Sequence, residues 1–280
     1  MNMNTIILNN EDVNHFLEMI QVKKVSDSLE FLNAIIFGVY EHIPFQNLTL
    51  LNSKKRPTEL DIIEDMLSGV GGLCNTRNGF MYLLLKALGF KVYFLSASML
   101  QADCHVIILV EIGNEKYLVD TGNGFPYLTA ISLEHTLVYS HQYLNHRVIQ
   151  KNNLFFMQHS QDKELKTWED SYSFTLKKVL FSSFNTMLDK QYLEIGWGPF
   201  TNSIRLNSWN KNGGVIVRDK LLLKLEKNKK REKYIFKNLI DFKMHIQKYY
   251  GEKFINLVDI ENAWNKYCEL EKEKKGIITS

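Results

Sequence analysis

Three residues able to share the work of nucleophilic catalysis lie in one part of the chain: Cys74, His105 and Asp120. Cys74 follows Gly71-Gly72-Leu73 and precedes Asn75 and Thr76, residue types that open helices. The apolar run from Phe80 to Phe90 fills most of a helix circumference, which predicts a buried helix that ends at Gly89. The helix is therefore expected to start near Cys74. A thiol there faces the positive end of the macrodipole, which favours the thiolate. The two glycines allow a tight turn and leave room for a ligand beside the sulfur. Alone, such a cysteine reads more readily as a small core residue.

The next pattern supplies it with partners. His105–Ile112 and Glu115–Asp120 are β-branched, apolar-rich runs separated by Gly113-Asn114, the signature of a hairpin with a two-residue turn. That turn sets Ile112 opposite Glu115 and carries Asp120 opposite Ile107. His105 and Asp120 then become diagonal neighbours on one face, about 7–8 Å apart at the backbone. A slip of one residue would separate them to opposite faces. A Cys–His–Asp set has a definite chemistry: the thiolate attacks, the histidine moves protons, and the aspartate orients the histidine and stabilises its cation. Taken singly, His105 reads as a structural histidine and Asp120 as a turn-former before Thr121-Gly122-Asn123-Gly124. Cys104 and His105 are adjacent, so on a strand they face opposite ways; no metal site is expected.

Around these residues lies an ordinary globular composition. The 280 residues are 45% hydrophobic and 23% charged, enough for two or three packed subdomains. A net charge of +3 and the lack of any basic-aromatic module argue against nucleic acid. Three cysteines, an odd number, and a start that does not read as a secretory leader predict reduced thiols in the cytoplasm. No apolar run approaches the ~18 residues that span a bilayer, so no membrane is expected.

In chain order, helices are predicted over 11–42 in two pieces, the second from Ser28 to Glu41. A break follows at Ile43-Pro44, then a short amphipathic helix over 58–67 opened by Thr58 and Asp61. Strands are expected over Lys91–Ala97, the hairpin, Tyr139–Ile149, Leu154–Gln158, Trp168–Leu176 and much of 201–228. Helix is expected to return from Glu232 to Tyr249 and from Ile255 to Lys274. The basic run Lys224–Ile235 reads as a solvated loop or helix face, or as a contact for the phosphates of a nucleotide cofactor.

Taken together, Ile43-Pro44-Phe45-Gln46-Asn47-Leu48, Gly71-Gly72-Leu73-Cys74 with Asn78, His105–Val110 followed by Tyr117–Asp120 and Gly122, and Gly198-Pro199-Phe200-Thr201-Asn202 resemble the arylamine N-acetyltransferases. The resemblance implies an α+β fold: a cysteine-protease-like core with an N-terminal helical bundle, a central β-barrel and a C-terminal α/β lid. On this chain these would occupy 1–89, 90–193 and 194–280. It also implies a triad of Cys74, His105 and Asp120, with substrate contacts at Phe45, Asn123, Gly124 and Phe200. The implied reaction is ping-pong acetyl transfer from acetyl-CoA, a cosubstrate and not a bound cofactor, to an arylamine or arylhydrazine through acetyl-cysteine. Amide formation from another acyl thioester, or ligand binding without turnover, are the alternatives. Departures from the family pattern at Val70, Asn75, Thr76 and Asn123 fall in or near where an aromatic amine would pack.

Overall fold

The computed structural model describes residues 3–278. A 3-10 turn at Met3–Thr5 precedes α1 (Asn10–Met19), α2 (Leu29–His42), the two-residue strand β1 (Phe45–Gln46), α3 (Leu48–Ser53), α4 (Glu59–Ser68) and α5 (Cys74–Ala87). Then come β2 (Lys91–Ser98), β3 (His105–Ile112), β4 (Glu115–Val119), β5 (Ile131–Ser132), β6 (Tyr139–Ser140), β7 (Asn145–Lys151), β8 (Leu154–Ser160) and β9 (Glu169–Val179). After α6 (Asn185–Leu193) the chain forms β10 (Arg205–Asn210), β11 (Gly213–Arg218), β12 (Leu221–Glu226), β13 (Glu232–Ile235), α7 (Leu239–Leu257) and α8 (Ile260–Ile278).

Local chemistry explains the helix ends. Asn9 and Ser28 cap α1 and α2 through their side-chain oxygens, onto the N–H groups of Asp12 and Phe31. Thr58 and Asp61 form a full capping box at α4, each side chain accepting from the other's backbone N–H. At the end of α5, the Gly89 N–H bonds Lys86 and the Phe90 N–H bonds Leu85, a Schellman closure.

The large sheet is antiparallel, in the order β5-β4-β3-β2-β9-β8-β7-β6. It curls until β5 lies against β7, a half-barrel around an apolar core that it shares with α1, α2 and α5. The second sheet, in the order β1-β10-β11-β12-β13, covers a smaller core made with α3, α7 and α8. Its edge strand β1 comes from the helical part of the chain and pairs Phe45 with Asn207 and Gln46 with Leu206. The fold is thus α+β: a helical N-terminal part, a curled sheet and a C-terminal α/β part.

Three sequence expectations change. Tyr139–Ile149 is not one strand but two, β6 and β7, with residues 141–144 between them. Glu232–Ile235 is a strand, not the start of a helix; it pairs with β12 from Lys224↔Glu232 to Leu221↔Ile235. The helix begins only at Leu239, after Asn238 caps it through the N–H of Asp241. The basic run is therefore a hairpin, and two of its lysines, Lys224 and Lys229, pair with Glu226 inside it. The last helices also divide differently, with α7 running to Leu257 through a non-helical Gly251.

Candidate active site

Helix α5 carries the cysteine. It begins at Cys74, and every residue from Cys74 to Leu85 is buried. The N-cap is Leu73, not Asn75 or Thr76, and no side chain caps the helix. Negative charge developing beside the sulfur would meet the uncapped positive end of this helix. The glycines before it make room for protein, not for ligand. Gly71 has φ +72°, and a Cβ there would stand 2.0 Å from the Pro44 carbonyl oxygen; one on Gly72 would stand 2.7 Å from Thr76 Cβ.

Strand β3 carries the histidine. Its hairpin with β4 has the register read from the sequence, Ile112↔Glu115 through Ile108↔Val119. Continued by one residue, it sets Asp120 beside His105, whose Nε2 lies 2.8 Å from Asp120 Oδ2. Cys74 is the other group that acts on the His105 ring. With Nε2 taken, Nδ1 is the ring nitrogen left for the sulfur. Cys74, His105 and Asp120 are all buried, at 5%, 3% and 2% exposure, so the charges they exchange are weakly screened.

Asp120 is held from four sides. Oδ1 accepts from Asn78 Nδ2 at 2.9 Å and from the Gly122 N–H at 3.3 Å; Oδ2 accepts from His105 and from the Tyr172 hydroxyl at 2.9 Å. Asn78 is itself saturated, with Nδ2 also on the Val106 carbonyl and Oδ1 accepting from Thr121. Burial alone would raise the Asp120 carboxyl; His105, Asn78 and Tyr172 outweigh it and hold the group below the usual carboxylate range. Burial likewise pushes His105 down, but the Asp120 charge and hydrogen bond, with Cys74, lift it well above an ordinary histidine. Both directions describe a charged imidazolium–carboxylate pair.

Beneath this pair lies Arg77, fully buried, whose Nε donates to the Thr121 carbonyl at 2.6 Å and whose Nη1 donates to the Ile43 carbonyl. Its guanidinium lies over the Tyr40 ring at 5.5 Å, and the Tyr40 hydroxyl donates to the Asp120 carbonyl. Burial pushes Arg77 down to about 10, against the opposing pull of Tyr40 and Asp120. Sequence reasoning missed Arg77, Tyr40 and Tyr172. A charged residue inside a stretch otherwise expected to be buried was the available signal for Arg77.

The loop after β4 closes over the cysteine. A Cβ on Gly122 would stand 2.5 Å from Cys74 Cα and 2.9 Å from Asn78 Nδ2, so no side chain fits there. The next two residues, Asn123 and Gly124, line a cleft of about 320 Å³ together with Phe45 and Phe200, and all four expected contact residues meet in it. The Gly124 carbonyl accepts from Asn207 and Trp209 of β10, which fixes the loop against the second sheet. Of the four departures from the family pattern, only Asn123 lines this cleft. Val70 belongs to the smaller apolar core, Asn75 accepts from the Tyr192 hydroxyl, and Thr76 borders a separate hollow beside Tyr192. Among the described residues, no group of three or more His, Cys, Asp or Glu side chains is arranged to hold a metal ion.

The family model described as N-acetyltransferase matches residues 28–258. The chain belongs to that family. The arylamine N-acetyltransferase of Escherichia coli (strain K12) is 29% identical over 144 residues, which is 48% of this chain and 50% of that protein. The arylamine N-acetyltransferase / N-hydroxyarylamine O-acetyltransferase of Salmonella typhimurium is 25% identical, over the same shares. The alignments with these curated relatives thus span about half their length. Among solved structures, the arylamine N-acetyltransferase of Mycobacterium marinum superposes with a TM-score of 0.80 at 15% identity, covering 92% of this chain and 99% of its own. The same enzyme, solved in complex with CoA, gives 0.78 at 15% identity over the same shares. An arylamine N-acetyltransferase of Bacillus cereus, described as having a Cys-His-Glu triad, gives 0.74 at 21% identity, covering 87% of this chain and 99% of its own. The fold of these solved structures is therefore this chain's fold.

Proposed function

We propose that the protein transfers an acetyl group from acetyl-CoA to an arylamine or arylhydrazine acceptor, through acetyl-Cys74. The observation that carries this reading is the buried set Cys74, His105 and Asp120 at the start of an uncapped helix, with the loop that packs Gly122 on Cys74 running straight into an aromatic-walled cleft at Asn123 and Gly124. With the Cys74 proton already held on His105, the sulfur attacks the thioester carbonyl of acetyl-CoA. The carbon–sulfur bond to CoA breaks, and CoA thiolate leaves with the proton from His105. The amine nitrogen then attacks acetyl-Cys74, His105 takes its proton, and the amide departs as the Cys74 thiolate is released beside the imidazolium. Asp120 holds the ring and its positive charge throughout. Family membership supports the reaction, and the CoA complex of the Mycobacterium marinum enzyme supports the donor. All three cysteines are free thiols and no helix among the described residues is long and apolar enough to cross a membrane; we read the chain as cytoplasmic.

The test is intact-mass and peptide mapping after brief exposure to acetyl-CoA, followed by addition of an aromatic amine. One acetyl group on Cys74, none on Cys104 or Cys268, and its loss as the N-acetylarylamine appears is the expected result. Label on Cys104 alone would overturn the assignment of the nucleophile. An unlabelled Cys74 that reacts with a longer acyl thioester would favour the other amide-forming acyltransferase, and no reaction with any thioester a binding protein.

A further inference from the structure

Three and four residues after Cys74, Arg77 and Asn78 project from one side of α5 to the loop after β4. Asn78 takes the Asp120 carboxylate; Arg77 takes the carbonyl of the next residue, Thr121, and that of Ile43. Arg77 is 0% exposed and, among the described residues, the largest side chain buried so completely. A guanidinium is costly to bury without an opposing charge. Among the described residues no carboxylate stands at ion-pair distance from it. Tyr40 and Asp120 are the groups that oppose its burial, and burial keeps Tyr40 un-ionised, so at neutral pH the opposing charge is that of Asp120. The two are linked through Tyr40, whose ring lies under the guanidinium and whose hydroxyl donates to the Asp120 carbonyl. The same holds around Asp120. Its charge also acts on Tyr127, Tyr172 and His159, but burial keeps both tyrosines un-ionised and lowers His159 to about 4. At neutral pH the cations that answer it are His105 and Arg77. With the Cys74 proton on His105, the buried set carries two negative charges, thiolate and carboxylate, and two positive ones, imidazolium and guanidinium. Without Arg77 it would carry a net negative charge in a medium that screens it poorly.

We propose that Arg77 is a positioning residue for the triad: its charge balances Asp120, so that the imidazolium of His105 stays available to the Cys74 thiolate. The proposal rests on the assignment of Cys74 as the nucleophile. Removing a positive charge makes each nearby acid harder to ionise, so the thiolate should persist to lower pH in the wild type than in Arg77→Gln. The test is alkylation of Cys74 by iodoacetamide, followed by peptide mapping across pH, which needs neither acetyl-CoA nor an amine. In Arg77→Gln the rate at about pH 6, relative to its own rate at about pH 9, should fall about tenfold below the wild-type ratio, and Arg77→Lys should restore part of it. Tyr192 of α6 is acted on by Cys74 and by Asp65 of α4, whose carboxyl burial raises to about 7. Both groups are unchanged in the variants, so any step they add is common to all three proteins. A role in hydrogen bonding alone predicts a less stable protein with the wild-type profile, and that result in folded Arg77→Gln would overturn the proposal. Melting temperatures supply a second readout. Arg77→Gln should lower the melting temperature less, by about half, in an Asp120→Asn background, where the charge it balances is gone; an equal loss would overturn the proposal. Should Arg77→Gln alone fail to fold, a folded double variant supports the pairing and an unfolded one overturns it. If wild-type alkylation falls first on Cys104 or Cys268, the nucleophile reading fails, and the melting comparison still decides whether Arg77 balances Asp120.

Discussion

At Asp120 one side chain does two jobs that a substitution can separate. Its carboxylate satisfies four donors and also carries the charge that keeps His105 protonated. Asp120→Asn keeps the shape, removes the charge and offers an N–H where His105 needs an acceptor. Acetyl transfer should fall on the order of 10²–10³-fold, less than in a serine triad, because a thiol needs less help to ionise. The melting temperature should stay within a few degrees. Near-normal turnover by the folded variant would remove Asp120 from the triad. The pH behaviour follows from the same pair. His105 is raised, so its contribution is complete below the ordinary value of about 6.5 and is lost only as pH rises through its folded value. Asp120 is lowered, so its contribution is present above its unfolded value and is lost as pH falls through the folded one. The pair is thus intact across neutrality. The rate of Cys74 acylation, measured by stopped-flow release of nitrophenol from 4-nitrophenyl acetate, should show no inflection near 6.5. A step there would mean a histidine titrating normally.

Among the elements, the start of α5 and the loop after β4 are fitted to one another with no slack. Gly122→Ala must push its new methyl into Cys74 Cα, at 2.5 Å in the present geometry. Expected are a loss of about 1–3 kcal/mol in stability and a larger proportional loss of activity, because the sulfur moves with the backbone. Chemical denaturation and acylation rates measure the two separately; full activity would show that the loop yields instead. This fit was only partly legible in the sequence. The β3–β4 register was readable because a two-residue turn fixes which residues oppose, and with it the His105–Asp120 pair. Tyr172 was not, because its bond to Asp120 comes from β9, across the sheet. Nor was β1, two residues long and therefore without a period, which is a strand only because β10 arrives from much later in the chain. Glu232–Ile235 was misread because its charged residues mask a short edge strand that pairs on one side only, with β12. Asn75 and Thr76 have capping chemistry, yet they lie inside the buried first turn, where packing against Tyr192 decides their place.

In the whole molecule, the C-terminal part is joined to the helical part by Asn47. Its Nδ2 donates to the carbonyls of Phe200 and Ser203, at 2.7 and 2.6 Å, and its Oδ1 accepts from the Arg205 N–H at 2.8 Å. The residue is fully buried, so Asn47→Ala would strand three backbone groups. A loss of about 2–4 kcal/mol follows, read as a melting temperature lower by roughly 4–12 °C. Limited proteolysis should then cut faster in the segment 194–204, which Asn47 pins. Unchanged stability would show that water replaces all three bonds.

Because β1 closes the edge of the second sheet, the chain is suited to being made as two polypeptides. A cut in the segment between α6 and β10 leaves one piece with β1 and the Cys–His–Asp set, and a second piece whose β10 edge is bare. A bare edge is a template for pairing, so the second piece made alone should self-associate. Made together, the two pieces have a specific seam to find: the β1–β10 ladder, the Asn47 bonds, and α3 packed on α8 with Lys266 donating to the Asn52 carbonyl. The sulfur and Phe45 would reside on one fragment and Asn207 and Trp209 on the other, so recovered acetyl transfer would report reassembly of the cleft itself.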